Sequence, residues 1–356
     1  MYKKVIHALA LLSIIGLFLG CTATAPIESS TESENQKIRV AATIFPLYDI
    51  ASNVAGEFAQ VELILAPGAS PHTYEFTPSD LTKLQGVKKI FAIGEGVDSW
   101  SDGIGDNVEG VEIVELDQYI VLREYEEDDY YEQYEEHRDD EYHGEDNHDS
   151  GNDYGYNHDS GNDYGYNHEV GNDHGHNYEG DNDEHHHGEY DPHYWLAPNN
   201  AAIMAKKITD ELSELDPANA DQYSNNADSF IATLNKKDIE WKEAINSLSQ
   251  RYIVTFHDSF SYFADHFDLN VLTSFEPFPG REPTPSYLQE LEHEIEEFNI
   301  SVLFTEPQLH PSSLEQFAKD HAIEVFVLDP LGGAIGRESY LELIDYNVQT
   351  IVDALQ

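Results

Sequence analysis

Apolar residues fall along this chain in two rhythms. Short β-branched runs appear near both ends, as IRVAATIF, VELILA and KIFAIG, then RYIVTF, LNVLTSF, ISVLFT and IEVFVLD. They are continuous rather than alternating, which is the pattern of parallel strands covered on both faces. Segments with helix punctuation separate them. TPSDLTKLQG puts Thr77 at an N-cap, Pro78 at the first helical position and Gly86 just past the end. SSLEQFAKDH places Ser312 and Glu315 at capping-box spacing, and TPSYLQELEHEIEEF is a further capped helix. Strand, helix, strand predicts an α/β fold with parallel sheets.

A longer rhythm divides the chain. From Asp216 and Pro217, the residues Tyr223, Ala227, Phe230, Leu234, Trp241 and Ile245 recur at three-, four- or seven-residue spacing. They form one amphipathic stripe. A single helix of about 30 residues would extend roughly 45 Å; two helices broken at Asn225–Asn226 are the alternative. The pattern predicts two Rossmann-like lobes, 37–215 and 249–356, joined by a stiff helix over 216–248.

Residues 121–190 break the first lobe. They repeat a ten-residue unit, NHDSGNDYGY, with Asn147, Asn157, Asn167 and Asn177 in phase, and carry almost no aliphatic side chains. Such a segment cannot bury enough surface to offset its ordering entropy and is expected to be mostly disordered. It holds 24 acidic residues against two basic ones, in a chain whose formal net charge is −51. That balance excludes nucleic acid and anionic membrane surfaces as partners. It also holds His143, His148, His158, His168, His174, His176, His185, His186 and His187. On a mobile chain these offer auxiliary weak zinc sites; an acidic solubilising spacer is the plainer alternative.

The first residues read as an address. Lys3 and Lys4 precede an apolar run, Val5 to Gly20, too short to span a bilayer stably. LFLGC resembles the lipobox of secreted lipoproteins, which implies lipidation of Cys21 and attachment to the outer face of the cell membrane. Residues 22–36 are small and polar, a tether. Cys21 is the only cysteine, so an intramolecular disulfide and thiolate metal sites are excluded.

The candidate chemistry gathers where strands end. His72 follows VELILA, His257 follows RYIVTF, Glu306 follows ISVLFT and Asp329 follows IEVFV. Ligands of open parallel sheets collect at the carboxyl ends of strands. His193, in EYDPHYWLAP, lies at the exit of the insertion. Taken singly, each is more often a loop residue bonded to backbone. Tyr194 and Trp195 read as packing, and His266, His293, His310 and His321 as solvated.

Together, TIFPLYDIASNVAG, PGASPHTYEFTPSD, DPHYWLAP, TFHDSFSYFADHF, EPTPSYLQEL and LDPLG resemble the solute-binding proteins of ABC importers for zinc and manganese, nearest the zinc branch. The resemblance runs from about Ile38 to Gln356 outside the insertion. It implies two α/β lobes on one rigid helix, with metal in the cleft between them. It places the ligands at His72, His193 and His257, with Asp329 fourth and Glu306 as an alternative carboxylate. Pro71 stands where some zinc members have an extra carboxylate, and Ala197 where WLDP has aspartate. Three imidazoles and a carboxylate suit Zn²⁺, whereas Mn²⁺ prefers harder oxygen ligands. The manganese branch typically has glutamate at the position of His257. The implied activity is extracytoplasmic capture of zinc by a monomer, with delivery to the permease and ATPase subunits of an importer. Manganese transport is the alternative within the class. A surface adhesin and a zinc-dependent hydrolase with Glu306 as base are the alternatives outside it. No HExxH pair and no phosphate loop is present, and the chain is not expected to be an enzyme.

Overall fold

A computed structural model of the chain describes residues 37–124, 190–276, 283–308 and 312–356. The lipobox with Cys21, the tether, the nine auxiliary histidines and His310 lie outside the described residues. What is described belongs to one compact unit, Lys37–Gln356. Among these residues, no helix is long and apolar enough to cross a membrane.

Two parallel sheets of four strands organise the unit. The first contains β1 (Ile38–Ala42), β2 (Ala59–Leu63), β3 (Val87–Ala92) and β4 (Glu112–Glu115), in the order β2-β1-β3-β4. The second contains β5 (Tyr252–His257), β6 (Asn270–Glu276), β7 (Val302–Thr305) and β8 (Glu324–Val327), in the order β6-β5-β7-β8. All ladders are parallel. In each sheet the strand order reverses beside the first strand, so each has its switch point next to β1 or β5. The continuous apolar runs include all four inner strands, β1, β3, β5 and β7, and the edge strands β2, β6 and β8; β1 and β5 end in fully buried residues. Edge strand β4, EIVE, has two apolar residues and an exposed first position. Its pattern is too short to stand out among loops.

The helices are α1 (Phe45–Ala55), α2 (Pro78–Lys83) and α3 (Ile104–Asn107), then α4 (Pro198–Leu215) and α5 (Ala220–Asn246). After the second sheet begins come α6 (Ser261–Phe267), α7 (Pro285–Glu297), α8 (Ser312–Asp320) and α9 (Tyr340–Leu355). At α2 and α7 the punctuation acts as read. Asp80 accepts hydrogen bonds from the Thr77 backbone N–H at 3.0 Å and its hydroxyl at 2.6 Å. Thr284 caps α7 by accepting from the Tyr287 N–H.

Helix α5 is unbroken across Asn225–Asn226 and 27 residues long, about 40 Å at 1.5 Å per residue. Its buried residues are Tyr223, Ala227, Phe230, Leu234, Trp241 and Ile245, the full stripe. The first turn after Asp216 is instead a 3-10 turn, Pro217–Asn219, in which Asp216 accepts from Asn219 Nδ2 and the Tyr223 hydroxyl. His266 is not solvated: its Nε2 lies 2.5 Å from Asp238 on α5, and its side chain is 9% exposed.

Contacts between the halves surround the strand ends. Trp195 Nε1 donates to Pro330 O at 2.8 Å, and the Tyr340 hydroxyl donates to Trp195 O at 2.7 Å. Gly333 has φ +77°, and a Cβ there would lie 2.9 Å from Pro67 and 3.0 Å from Phe45, so only glycine lets this loop close on the first half. Asp98 pins the end of the first sheet. It accepts from the Thr43 hydroxyl at 2.6 Å and from the Ile93 and Gly94 N–H groups at 2.7 and 3.0 Å. Burial nonetheless pushes its carboxyl up to about 6. Asp98→Ala would orphan two buried N–H groups and a hydroxyl, an expected loss of about 2–4 kcal/mol. Denaturant melts would read that loss as a lowered midpoint with unchanged slope.

Candidate metal centre

Each histidine is delivered by a separate element. The chain leaves β2, turns at Pro67–Gly68 and enters one 3-10 turn, Pro71–Thr73, which carries half-buried His72. His257 is the last residue of central strand β5 and is 4% exposed. His193 sits just before the 3-10 turn Tyr194–Leu196 and is 3% exposed. Its neighbours Tyr194 and Trp195 are buried at 0% and 1%, which clamps the loop.

The three rings meet in a pocket also lined by Trp195, Glu306 and Gln308. Ring centroids are 5.6 Å apart for His72–His193 and His72–His257, and 5.2 Å for His193–His257. One ligand atom from each lies within 4.8 Å of the others. The Nε2 atoms of His193 and His257 are 3.4 Å apart.

Carboxylates fix which nitrogens face inward. Asp191, 1% exposed, sits 2.8 Å from His193 Nδ1 and also accepts the His193 backbone N–H at 2.9 Å. Glu306, 3% exposed, places Oε1 2.5 Å from His257 Nδ1 and accepts the Ser259 hydroxyl at 3.1 Å. A carboxylate lies against Nδ1 of both rings; in the tautomers that place the proton on that nitrogen, both Nε2 lone pairs face one another. Such lone pairs repel unless they share a cation. Four ligands around zinc at about 2.05 Å stand about 3.35 Å apart along a tetrahedral edge. The observed Nε2 separation fits that edge.

The titration behaviour follows from the same groups. Burial pulls His257 down, but the charges of Glu306, Asp258 and Asp191 outweigh it and hold the imidazolium up. Burial pushes Asp191 up to about 7, against the His193 N–H and the charges of Arg123 and His257. Asp258 is likewise raised, by burial and by Asp191.

Asp329 does not join the cluster. Its Oδ1 accepts from Gln308 Nε2, Leu331 N and Gly332 N at 3.0, 2.9 and 3.0 Å, and its Oδ2 lies 3.0 Å from Arg337 Nε. Three donors on Oδ1 and the Arg337 ion pair on Oδ2 hold the carboxylate, which in this structure braces the loop that meets Pro67 and lies apart from the three-histidine group. Glu306 also stays out of the ligand group: it stands behind His257, as that ring's acceptor. Asp191 and Ser259 were not singled out from sequence. Asp191 had a usable signal, a carboxylate two residues before His193 in DPH; Ser259 had none.

The sequence profile described as "Zinc-uptake complex component A periplasmic" matches residues 40–354. The high-affinity zinc uptake system protein ZnuA of Brucella abortus is 32% identical over 332 residues, 92% of this chain and 94% of that protein. The zinc-binding protein AdcA of Streptococcus pyogenes is 22% identical over 99% of this chain, which spans 61% of AdcA's length. Among solved structures, a ZnuA lacking residues 138–173, with zinc bound, superposes with TM-score 0.67 at 23% identity, covering 90% of this chain and 98% of that one.

Proposed function

The chain belongs to the zinc-uptake complex component A family, and we propose that it captures Zn²⁺ outside the cytoplasm and delivers it to the permease of an ABC importer. The observation that carries the reading is the pair of inward Nε2 atoms 3.4 Å apart, each backed by a buried carboxylate. His72, His193 and His257 are the ligands in this reading. A set of three neutral nitrogens favours zinc over manganese, which takes harder and more numerous oxygen ligands.

Capture rather than hydrolysis is the role. The one residue cast as a general base, Glu306, is engaged by His257 and Ser259, which leaves it to hold a ligand rather than a water. The two halves, 37–215 and 249–356, would close on the ion by small tilts, because α5 and the Trp195–Pro330 and Tyr340–Trp195 bonds resist larger ones. Delivery involves a cytoplasmic ATPase, the chain acts as a monomer, and Cys21 anchors it to the outer face of the membrane.

The insertion raises zinc concentration near the cleft, by effective concentration, without building the tight site. Demetallated protein titrated with zinc in competition with a chelator is expected to bind one ion tightly and several weakly. Excising residues 125–189 should remove the weak class and leave the tight one. Tighter binding of manganese than zinc, or a tight site that leaves with the insertion, would overturn this reading.

A further inference from the structure

The two ends of the insertion are fastened together and to the other half of the molecule. Glu124 and Tyr190 form an antiparallel bridge, and the Asp191 N–H donates to Arg123 O at 2.9 Å. The Arg123 N–H donates to the Tyr262 hydroxyl on α6 at 2.7 Å. The Arg123 guanidinium also reaches Asp265 on α6 at 2.6 Å. Asp191, the next link, holds both the backbone N–H and Nδ1 of His193.

An unbroken chain of hydrogen bonds therefore runs from α6, through the base of the insertion, to a ligand on the opposite wall of the cleft. We infer that Tyr262 is a positioning residue for the metal site, acting across the cleft through the Arg123 backbone and Asp191 on His193. This rests on the zinc-binding reading above. It assigns the insertion's base a mechanical task, fixing His193 relative to His257, separate from anything its histidines do.

Magnitudes separate the two links between Arg123 and α6. The guanidinium–Asp265 pair is solvent-exposed, with side chains 38% and 65% exposed, and exposed pairs contribute little. Tyr262 is 8% exposed, and its ring packs edge-on to Tyr194 with centroids 6.4 Å apart. Its hydroxyl accepts a main-chain N–H that would otherwise be orphaned, so the backbone route carries the coupling.

The test measures zinc release from the full-length protein by chelator competition in a stopped-flow instrument, with thermal melts alongside. Tyr262→Phe is expected to release zinc about 3- to 10-fold faster, a smaller effect than the 10- to 100-fold typical of a ligand's direct partner. Asp265→Ala, which spares both the backbone route and the Arg123 charge beside Asp191, should stay within about two-fold. In a His193→Ala background the Tyr262→Phe effect should vanish, because residues acting through one another are non-additive. Wild-type release in Tyr262→Phe, with or without a lowered melting point, overturns the proposal. So does an acceleration undiminished in the His193→Ala background, or an Asp265→Ala effect as large as that of Tyr262→Phe. A wild-type protein with no tight zinc site would instead remove the reading on which the proposal rests.

Discussion

Replacing His257 with alanine is expected to weaken zinc binding by about 10²- to 10³-fold. Structural zinc sites are worth about 10–16 kcal/mol in total over four ligands, so one imidazole carries roughly 2.5–4 kcal/mol. The loss at His257 has two parts. Its Nε2 leaves the ion, and Glu306 is left buried at 3% exposure without the ring it faces at 2.5 Å. Glu306→Gln separates these parts. It keeps an acceptor oxygen for Nδ1–H but removes the charge, and a cost of about 10- to 100-fold is expected. Chelator-competition titrations read both constants, and Trp195 offers an optical check, its ring centroid 5.1 Å from that of His193. A His257→Ala protein that holds zinc as tightly as the wild type would mean that the ion sits elsewhere.

The parts of this molecule that could be read from the sequence are those fixed by local pattern. Continuous apolar runs located seven of the eight strands, the inner ones most clearly because a strand covered on both faces has no polar side to show. The stripe from Tyr223 to Ile245 located α5 because one long helix imposes one period. The three histidines that the structure brings together stand out in the sequence because each follows a strand or a stiffened loop. What escaped depends on direction rather than position. His257 is the last residue of β5, whereas Asp329 lies two residues beyond the end of β8, and its carboxylate turns to Arg337 and the Leu331 and Gly332 amides. That turn is set by a loop whose glycines permit positive φ, and residue order alone does not encode which face such a side chain takes. Asp191 was overlooked for a related reason: a carboxylate earns its place behind a ligand only when the ring's orientation is known. Edge strand β4 was invisible because four residues with two apolar side chains do not rise above a loop.

Zinc affinity is expected to fall by about 10²- to 10³-fold between pH 8 and pH 5.5. The sign follows from which forms bind metal. Zinc requires His257 neutral, and it requires Asp191 ionised to accept Nδ1–H of His193. Without metal, both groups keep their protons to higher pH than usual. His257 is held up because Glu306, Asp258 and Asp191 outweigh burial, and Asp191 is pushed up to about 7 by burial. Binding must therefore displace protons, and affinity rises with pH until those protons are gone. At pH 5.5 a group titrating near 7 costs about 30-fold, and one at or above the ordinary imidazole value of 6.5 costs at least about 10-fold. The two groups act on one another and titrate as a pair, and their combined cost falls within the range stated. Titrations at pH 8, 7, 6 and 5.5 should show the decline. In weakly buffered solution near pH 6.5, one to two protons should be released per zinc bound. Asp191→Asn removes one of the two titrating groups and keeps an acceptor oxygen for His193, so its affinity should be lower at pH 8 and decline less steeply. An affinity flat from pH 8 to 5.5 would mean that neither buried group exchanges its proton for the ion, and that the carboxylates behind the imidazoles do not set their state.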